Sequence, residues 1–340
     1  MKKLLAPTCL LLALTPVVGS AQSNVTIYGR ADIGLDNSKT GANTSVSQLR
    51  DNASRLGFRG VEDLGSGLRA TYGIEAGIGF DTGAVTAPMF RNSYVGLGGS
   101  FGNIALGRLD SANPTGSPLY SLITRNVAFV VHDAGATAIG TRVLNARNRT
   151  SRSIGYSSPN IGGATFMARY YLNGLDVPTT TTGTVKFDSD IKQLDLGVNY
   201  KVGALGLGAG YAKDAVAGGL PTNTFNKKST AVASYDFPNL KVYGLYGRDG
   251  YRNNATSRKD VSYWLVGTSY DFGASNVTAN YMERAVLTDK NGTLKKFQIG
   301  YAYKMSKRTQ VYAIYDRDDP NSNAQNDVIR NVSFGIRHDF

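Results

Sequence analysis

The chain has 340 residues, a formal net charge of +12, 40 glycines, 20 tyrosines, one tryptophan and one cysteine. It lacks the long apolar runs of a helical membrane protein. Its basic balance comes without a helix-turn-helix, zinc-finger or RNA-reader pattern, so no nucleic-acid partner is expected.

The first 21 residues read as an export signal. Lys2 and Lys3 form a basic start, Leu4 to Val18 an apolar stretch, and Gly19-Ser20-Ala21 a small-residue cleavage site. Pro7 and Pro16 break the apolar stretch, which is too short for a membrane span. Cys9 leaves with it, so neither disulfides nor a cysteine nucleophile are expected in residues 22–340. Loss of Lys2 and Lys3 takes the charge from +12 to +10 (12 − 2). No linker composition divides the rest, which reads as a single β domain.

That domain opens at Asn24 to Gly34, with Val25, Ile27, Ala31 and Ile33 on one face and Thr26, Tyr28, Arg30 and Asp32 on the other. Such period-2 alternation marks a strand between a greasy and a wet surface. A polar segment, Leu35 to Asn52, is expected next. Arg55 to Val61 returns with Arg55, Gly57 and Arg59 on the wet parity, and the Gly-rich turn 64–67 leads into Leu68 to Phe80, where Arg69 and Glu75 share that parity. Further strands are predicted over 91–99, 103–109, 151–158, 164–173, 191–202, 205–211, 229–237, 240–249, 261–272, 276–285, 294–305 and 308–316. Ile329 to Phe340 closes the series with Val332, Phe334, Ile336, His338 and Phe340 on the apolar parity.

Sixteen strands joined by alternating short turns and long polar loops describe an up-and-down barrel, antiparallel and membrane-spanning. A sandwich has no reason to sort its connections in that way. Tyr235, Phe237, Tyr270, Phe272, Tyr303 and Phe340 gather at the short-turn ends, as an interfacial girdle would. A strand in lipid cannot leave its edge unpaired, so the first and last must join. A barrel of this size is too wide for side chains to fill, which leaves a water channel.

The longest connection, 110–150, holds Val127 to Val131 and the basic residues Arg142, Arg147 and Arg149. Loops of such length are functional or disordered. This one is expected to fold into the lumen as a constriction, with the 127–131 stretch against the wall.

Several stretches resemble the sixteen-stranded general porins of Gram-negative β-proteobacteria, the group of the Comamonas-type anion-selective porin and the Neisseria porins. They are Val25 to Gly29, Ser54 to Gly65, Phe101 to Arg108, Pro159 to Gly163 and Gly335 to Phe340. The resemblance implies an outer-membrane homotrimer, short periplasmic turns, lipopolysaccharide as neighbour, and a terminal Phe340 read by the barrel-insertion machinery. It also implies a passive channel for small hydrophilic solutes, anionic and neutral, with Arg55, Arg91 and Arg149 at the constriction facing Glu75. Parity agrees for Arg55 and Glu75. Arg91 shares parity with Val95 and Leu97, so its place in the lumen needs a late strand start or a bulge. Arg30, Arg59, Arg69, Asp110 and Asp133 are the remaining lumenal charges expected.

Two other functions are weighed. A hydrolase of the outer membrane would need a partnered histidine, and after residue 21 only His132 and His338 remain, neither with an evident partner. A channel specific for phosphate or organic acids would use a deeper ladder of basic residues. No metal cluster, cofactor or phosphate-cradling loop is expected.

Overall fold

The computed structural model describes residues 24–110, 115–131, 138–139, 144, 148–172, 191–216, 224–252, 258–285, 293–321 and 327–340. The signal segment 1–21, His132, Asp133, Arg142 and Arg147 lie outside them. In chain order the elements are β1 (Asn24–Thr40), β2 (Val46–Asp51), β3 (Arg55–Gly65), β4 (Leu68–Ile78), β5 (Val85–Gly99), β6 (Gly102–Asp110) and α1 (Pro118–Asn126). Then follow β7 (Arg149–Ser157), β8 (Ala164–Leu172), β9 (Ile191–Val202), β10 (Leu205–Val216), β11 (Thr224–Asp236) and β12 (Leu240–Arg252). The last five are β13 (Arg258–Phe272), β14 (Ser275–Ala285), β15 (Thr293–Lys304), β16 (Thr309–Asn321) and β17 (Ile329–Asp339).

These seventeen segments form one antiparallel sheet that closes where β1 pairs with β17, from Arg30↔Asp339 to Thr40↔Ile329. On its other side β1 pairs with β3 over 24–30 and with β2 over 33–38. β2 and β3 are therefore two halves of one stave, and the barrel has sixteen. The break between them is built by residues 52–54. Ala53 takes a positive φ of 65°, and Ser54 accepts through Oγ from the Asp32 amide at 2.9 Å while donating its own amide to Asp51 Oδ2 at 3.1 Å.

The polar segment Leu35 to Asn52 is thus mostly strand, contrary to expectation. Its inward side chains are tied to both neighbours: Ser333 Oγ donates across the seam to Asp36 Oδ1 at 2.5 Å, and Arg50 of β2 pairs with Asp36 at 2.7 Å. Strands that run on beyond the lipid need no apolar outward face, so their alternation fades from the sequence. The same reason lengthens β10, β11 and β12 past their predicted loop-side ends.

The short turns lie at one rim. Gly203 and Gly273 open two-residue connections with φ of 54° and 59°, left-handed values that match the twist of a tight hairpin and that glycine adopts without cost. Aromatic residues stand outward along this rim, Tyr235 with Phe237 at 4.6 Å between ring centres and Tyr270 with Phe272 at 5.8 Å. His338 is there too, its Nδ1 hydrogen bonded with Thr309 Oγ1 at 2.9 Å. The Phe340 ring covers Gly29, and the two residues exchange backbone hydrogen bonds of 3.0 and 3.1 Å. Within the membrane band many outward residues are large, apolar and exposed, as lipid demands.

Candidate functional site: the lumenal arginines and the inner loop

After β6 the chain turns inside the barrel. Ser117 caps α1 by accepting from the Tyr120 amide, Pro118 holds its first turn, and Leu119, Leu122 and Ile123 form one apolar stripe. That stripe meets the inward faces of β8 to β11. Glycine makes the room: a Cβ on Gly208 or Gly210 would lie 2.9 Å from a Leu122 methyl, and one on Gly197 3.0 Å from Pro118. Asn126 stitches the helix end to the wall, donating to Asn199 Oδ1 at 2.9 Å and accepting from Ser234 at 3.1 Å.

The chain then follows the wall round. Val127 is buried against Tyr243, Leu245 and Tyr263, and Val130 fills the space above Gly300 beside Ala302, Tyr312 and Ile314. Carbonyls of the loop are held by wall donors: Ala128 by Tyr243 (3.1 Å) and Asn280 (3.2 Å), Val131 by Arg337 (3.0 Å), and Leu144 by Lys228 (2.5 Å). Tyr243, Arg337 and Lys228 also have partners in the wall, Asn280, Asp339 and Asp249, so the loop carbonyls join polar networks that the wall already holds.

A charged array stands on β3 to β7. Arg91 donates to Glu75, Nε to Oε1 3.0 Å; Arg55 lies 3.7 Å from the other carboxylate oxygen. Arg149 pairs with Asp110 at 2.6 Å, and the Asp110 amide donates to Asn92 at 3.3 Å. The Tyr28 hydroxyl also reaches Glu75. Arg91 sits within electrostatic range of Arg149, Arg55 and Asp110, so the two ion pairs form one group.

Parity along β5 aims Arg91 outward, and a register shift corrects it. Glu75 pairs with Asn92 and Ala76 with Phe90, which leaves Arg91 as the extra residue of a β-bulge. Bulges re-aim a side chain in this way. A second shift, between Gly107 and Leu109 on the β6–β7 pair, precedes the Asp110↔Arg149 pair.

The other predicted charges spread along the lumen. Arg30 is directly opposite Arg55 across the β1–β3 pair, yet turns to Asp339 at 2.7 Å, which Arg337 also holds. Arg59 lies over the Tyr28 ring, 4.9 Å from its centre. Arg69 donates to Asn103 near the short-turn rim at 3.2 Å. Sequence reading missed α1, whose signal was Ser-Pro followed by apolar residues at 119, 122 and 123. It also missed the wall donors Asn280, Lys228 and Arg337, which alternation marks as lumenal without saying what they meet.

A closed barrel of sixteen strands, with a loop folded along its inner wall, defines a membrane channel of the outer-membrane type. The chain belongs to the Gram-negative porins: that family's model matches residues 8–323. Outer membrane porin protein 32 of Delftia acidovorans is 31% identical over 320 residues, covering 89% of this chain and 87% of the relative. The major outer membrane protein P.IB of Neisseria sicca is 27% identical, with 91% of each chain covered. Among solved structures, the anion-selective porin from Comamonas acidovorans superposes with a TM-score of 0.75 at 25% identity, over 94% of this chain and all of that one. The trimer form of OmpT from Vibrio cholerae, 15% identical with a TM-score of 0.66, shares the fold over 94% of this chain. The protein is a porin of the outer membrane.

Proposed function

We propose that this porin is a passive diffusion channel with a preference for anions, set by Arg55, Arg91 and Arg149 around Glu75. The observation that carries the reading is a charge count. Three arginines meet two carboxylates, Glu75 and Asp110, which leaves 3 − 2 = +1. Arg59, with no carboxylate partner among the described residues, adds a second positive charge below them.

Magnitudes set the strength of that preference. One charge about 10 Å from an ion is worth about 0.4 kcal/mol in water. Screening over a Debye length of about 8 Å reduces it to about 0.1 kcal/mol, and low-dielectric walls return part. Two net charges therefore favour anions over cations a few-fold. A diffusion pore needs no more.

The solutes in this reading are small, anionic or neutral. The working unit is a homotrimer embedded among lipopolysaccharide, with residues 1–21 removed on export and Phe340 read by the insertion machinery. In this reading residues 115–131 of the inner loop narrow the lumen opposite the arginines. The test is the zero-current potential in a planar bilayer under a KCl gradient. An anion-signed potential that shrinks in Arg55→Ala and Arg149→Ala is expected; a cation-signed one, or one blind to both changes, overturns the arginine assignment.

One observation favours a second reading, a channel specific for phosphate or organic acids. Arg59 and Tyr94 line a cavity of about 350 Å³ together with Thr26, Thr71 and one carboxylate, Asp63. Saturation of anion flux with concentration would select that reading.

A further inference from the structure

The outward face of β9 to β13 carries an apolar groove of about 630 Å³. Its floor is made of small residues, among them Ala209, Ala231 and Gly244, and Tyr246 and Trp264 rise at its side. Register explains the shape. Ala209, Ala231, Tyr246 and Trp264 stand in one cross-strand row, so two bulky rings follow two methyl groups.

The rows above it, toward the long-loop rim, turn basic. Arg248 stands one row higher, outward and exposed, and Lys213 pairs directly with Lys227 one row above that. Like charges placed directly opposite destabilise a sheet. Neither lysine has a carboxylate partner among the described residues, and Arg248 has only Asp260, at 4.0 Å. Three cations against one carboxylate leave 3 − 1 = +2. Elsewhere on the outward face Lys295 meets Glu283 and Arg317 meets Asp319. Lys39 and Arg330 form a second like-charged pair directly opposite one another, but only the row over β10 to β12 stands above the groove. An unmatched basic pair at a membrane surface calls for an anion.

We propose that the lysine pair and the groove form one site for the phosphorylated, multiply acylated glycolipid of the outer leaflet. Its phosphate rests on Lys213, Lys227 and Arg248, and one acyl chain lies in the alanine-floored groove. The site deepens the reading of lipopolysaccharide as a neighbour and rests on the long loops facing outward from the cell. Dimensions agree. Rows are about 7 Å apart along a strand, so the cations stand about 7–14 Å above the groove, and the headgroup layer of a leaflet is about 5–8 Å deep. A second copy of the chain fits less well, because pairing two such faces would bring two surplus positive rows together.

Trp264 is the only tryptophan of the chain and borders the groove, so its emission reports on the occupant. The experiment titrates folded, detergent-purified full barrel with bisphosphorylated lipid A and, separately, with its dephosphorylated form. A saturable change in Trp264 emission with the phosphorylated lipid is expected. Lys213→Gln with Lys227→Gln should weaken it about twenty-five-fold, each basic residue being worth about fivefold at an anionic surface. Ala231→Phe, which fills the groove, should weaken it with phosphates intact. Channel conductance of the variants in phospholipid bilayers is recorded alongside, so loss of the lipid site is told apart from loss of the fold or pore. Equal response to both lipids, or binding unchanged in the double lysine variant, overturns the proposal. So does an emission change that follows protein concentration without lipid, which would make the occupant a second copy.

Discussion

Arg91 reaches Glu75 at 3.0 Å because β5 carries one residue more than β4 at that level. The bulge turns a side chain that alternation would aim at the lipid into the lumen, where Arg55 shares the same carboxylate. Glu75 therefore holds two guanidinium groups at once and cancels part of their field.

Glu75→Gln should raise anion preference. The array goes from +1 to +2, and the zero-current potential should move further in the anion direction. Arg91→Ala should move it back by a similar step. If the two shifts share a sign, the pairing does not control selectivity.

Selectivity should also fall with salt. The Debye length shrinks from about 10 Å at 0.1 M to about 3 Å at 1 M. The anion-to-cation ratio measured in gradients centred on those concentrations should drop toward unity at the higher one. A ratio indifferent to salt would point to contact with the arginines in place of their long-range field.

The inner loop depends on glycine in the wall. Gly300→Val would place methyl groups where Val130 sits and lift residues 127–131 from β15. Single-channel recordings should show higher conductance and more flicker than wild type. Gly273→Ala, at a turn far from the loop, is the control for general damage.

A buried triad should govern thermal stability. Lys296 is fully buried between Asp316 at 2.5 Å and Asp318 at 2.6 Å. Lys296→Met leaves two carboxylates without their cation and should cost about 3–5 kcal/mol. The heat-induced shift of the folded band on a gel should occur at a lower temperature. An unchanged transition would mean that the carboxylates find water or protons on losing the lysine.

The chain end has its own test. Phe340 packs on Gly29 and closes the seam with two backbone bonds. Gly29→Leu should lower the yield of folded barrel as Phe340→Ala does, since either removes that contact. Normal yield from Gly29→Leu would leave Phe340 important for recognition alone.

Much of the fold was legible because a lipid-facing strand must alternate. Leu194, Leu196 and Val198 on β9, or Phe334 and Ile336 on β17, could read only one way between bilayer and water. Beyond the bilayer that constraint lapses, and residues 35–52 looked like loop although β1 and β2 pair there. Period 2 also tied Arg55 and Glu75 to one face. It could not reveal the bulge at Arg91, since an inserted residue appears only when two strands are laid in register. Nor could it show that Leu122 would meet Gly208 and Gly210, residues far from it in sequence. The sequence alone determined the membrane-crossing stretches, the apolar faces they turn to lipid and the closed barrel, because each follows from local alternation and from lipid's refusal of unpaired backbone. Which charges share a carboxylate, and where the inner loop rests, were decided by the tertiary structure, because both depend on register and on packing between distant segments.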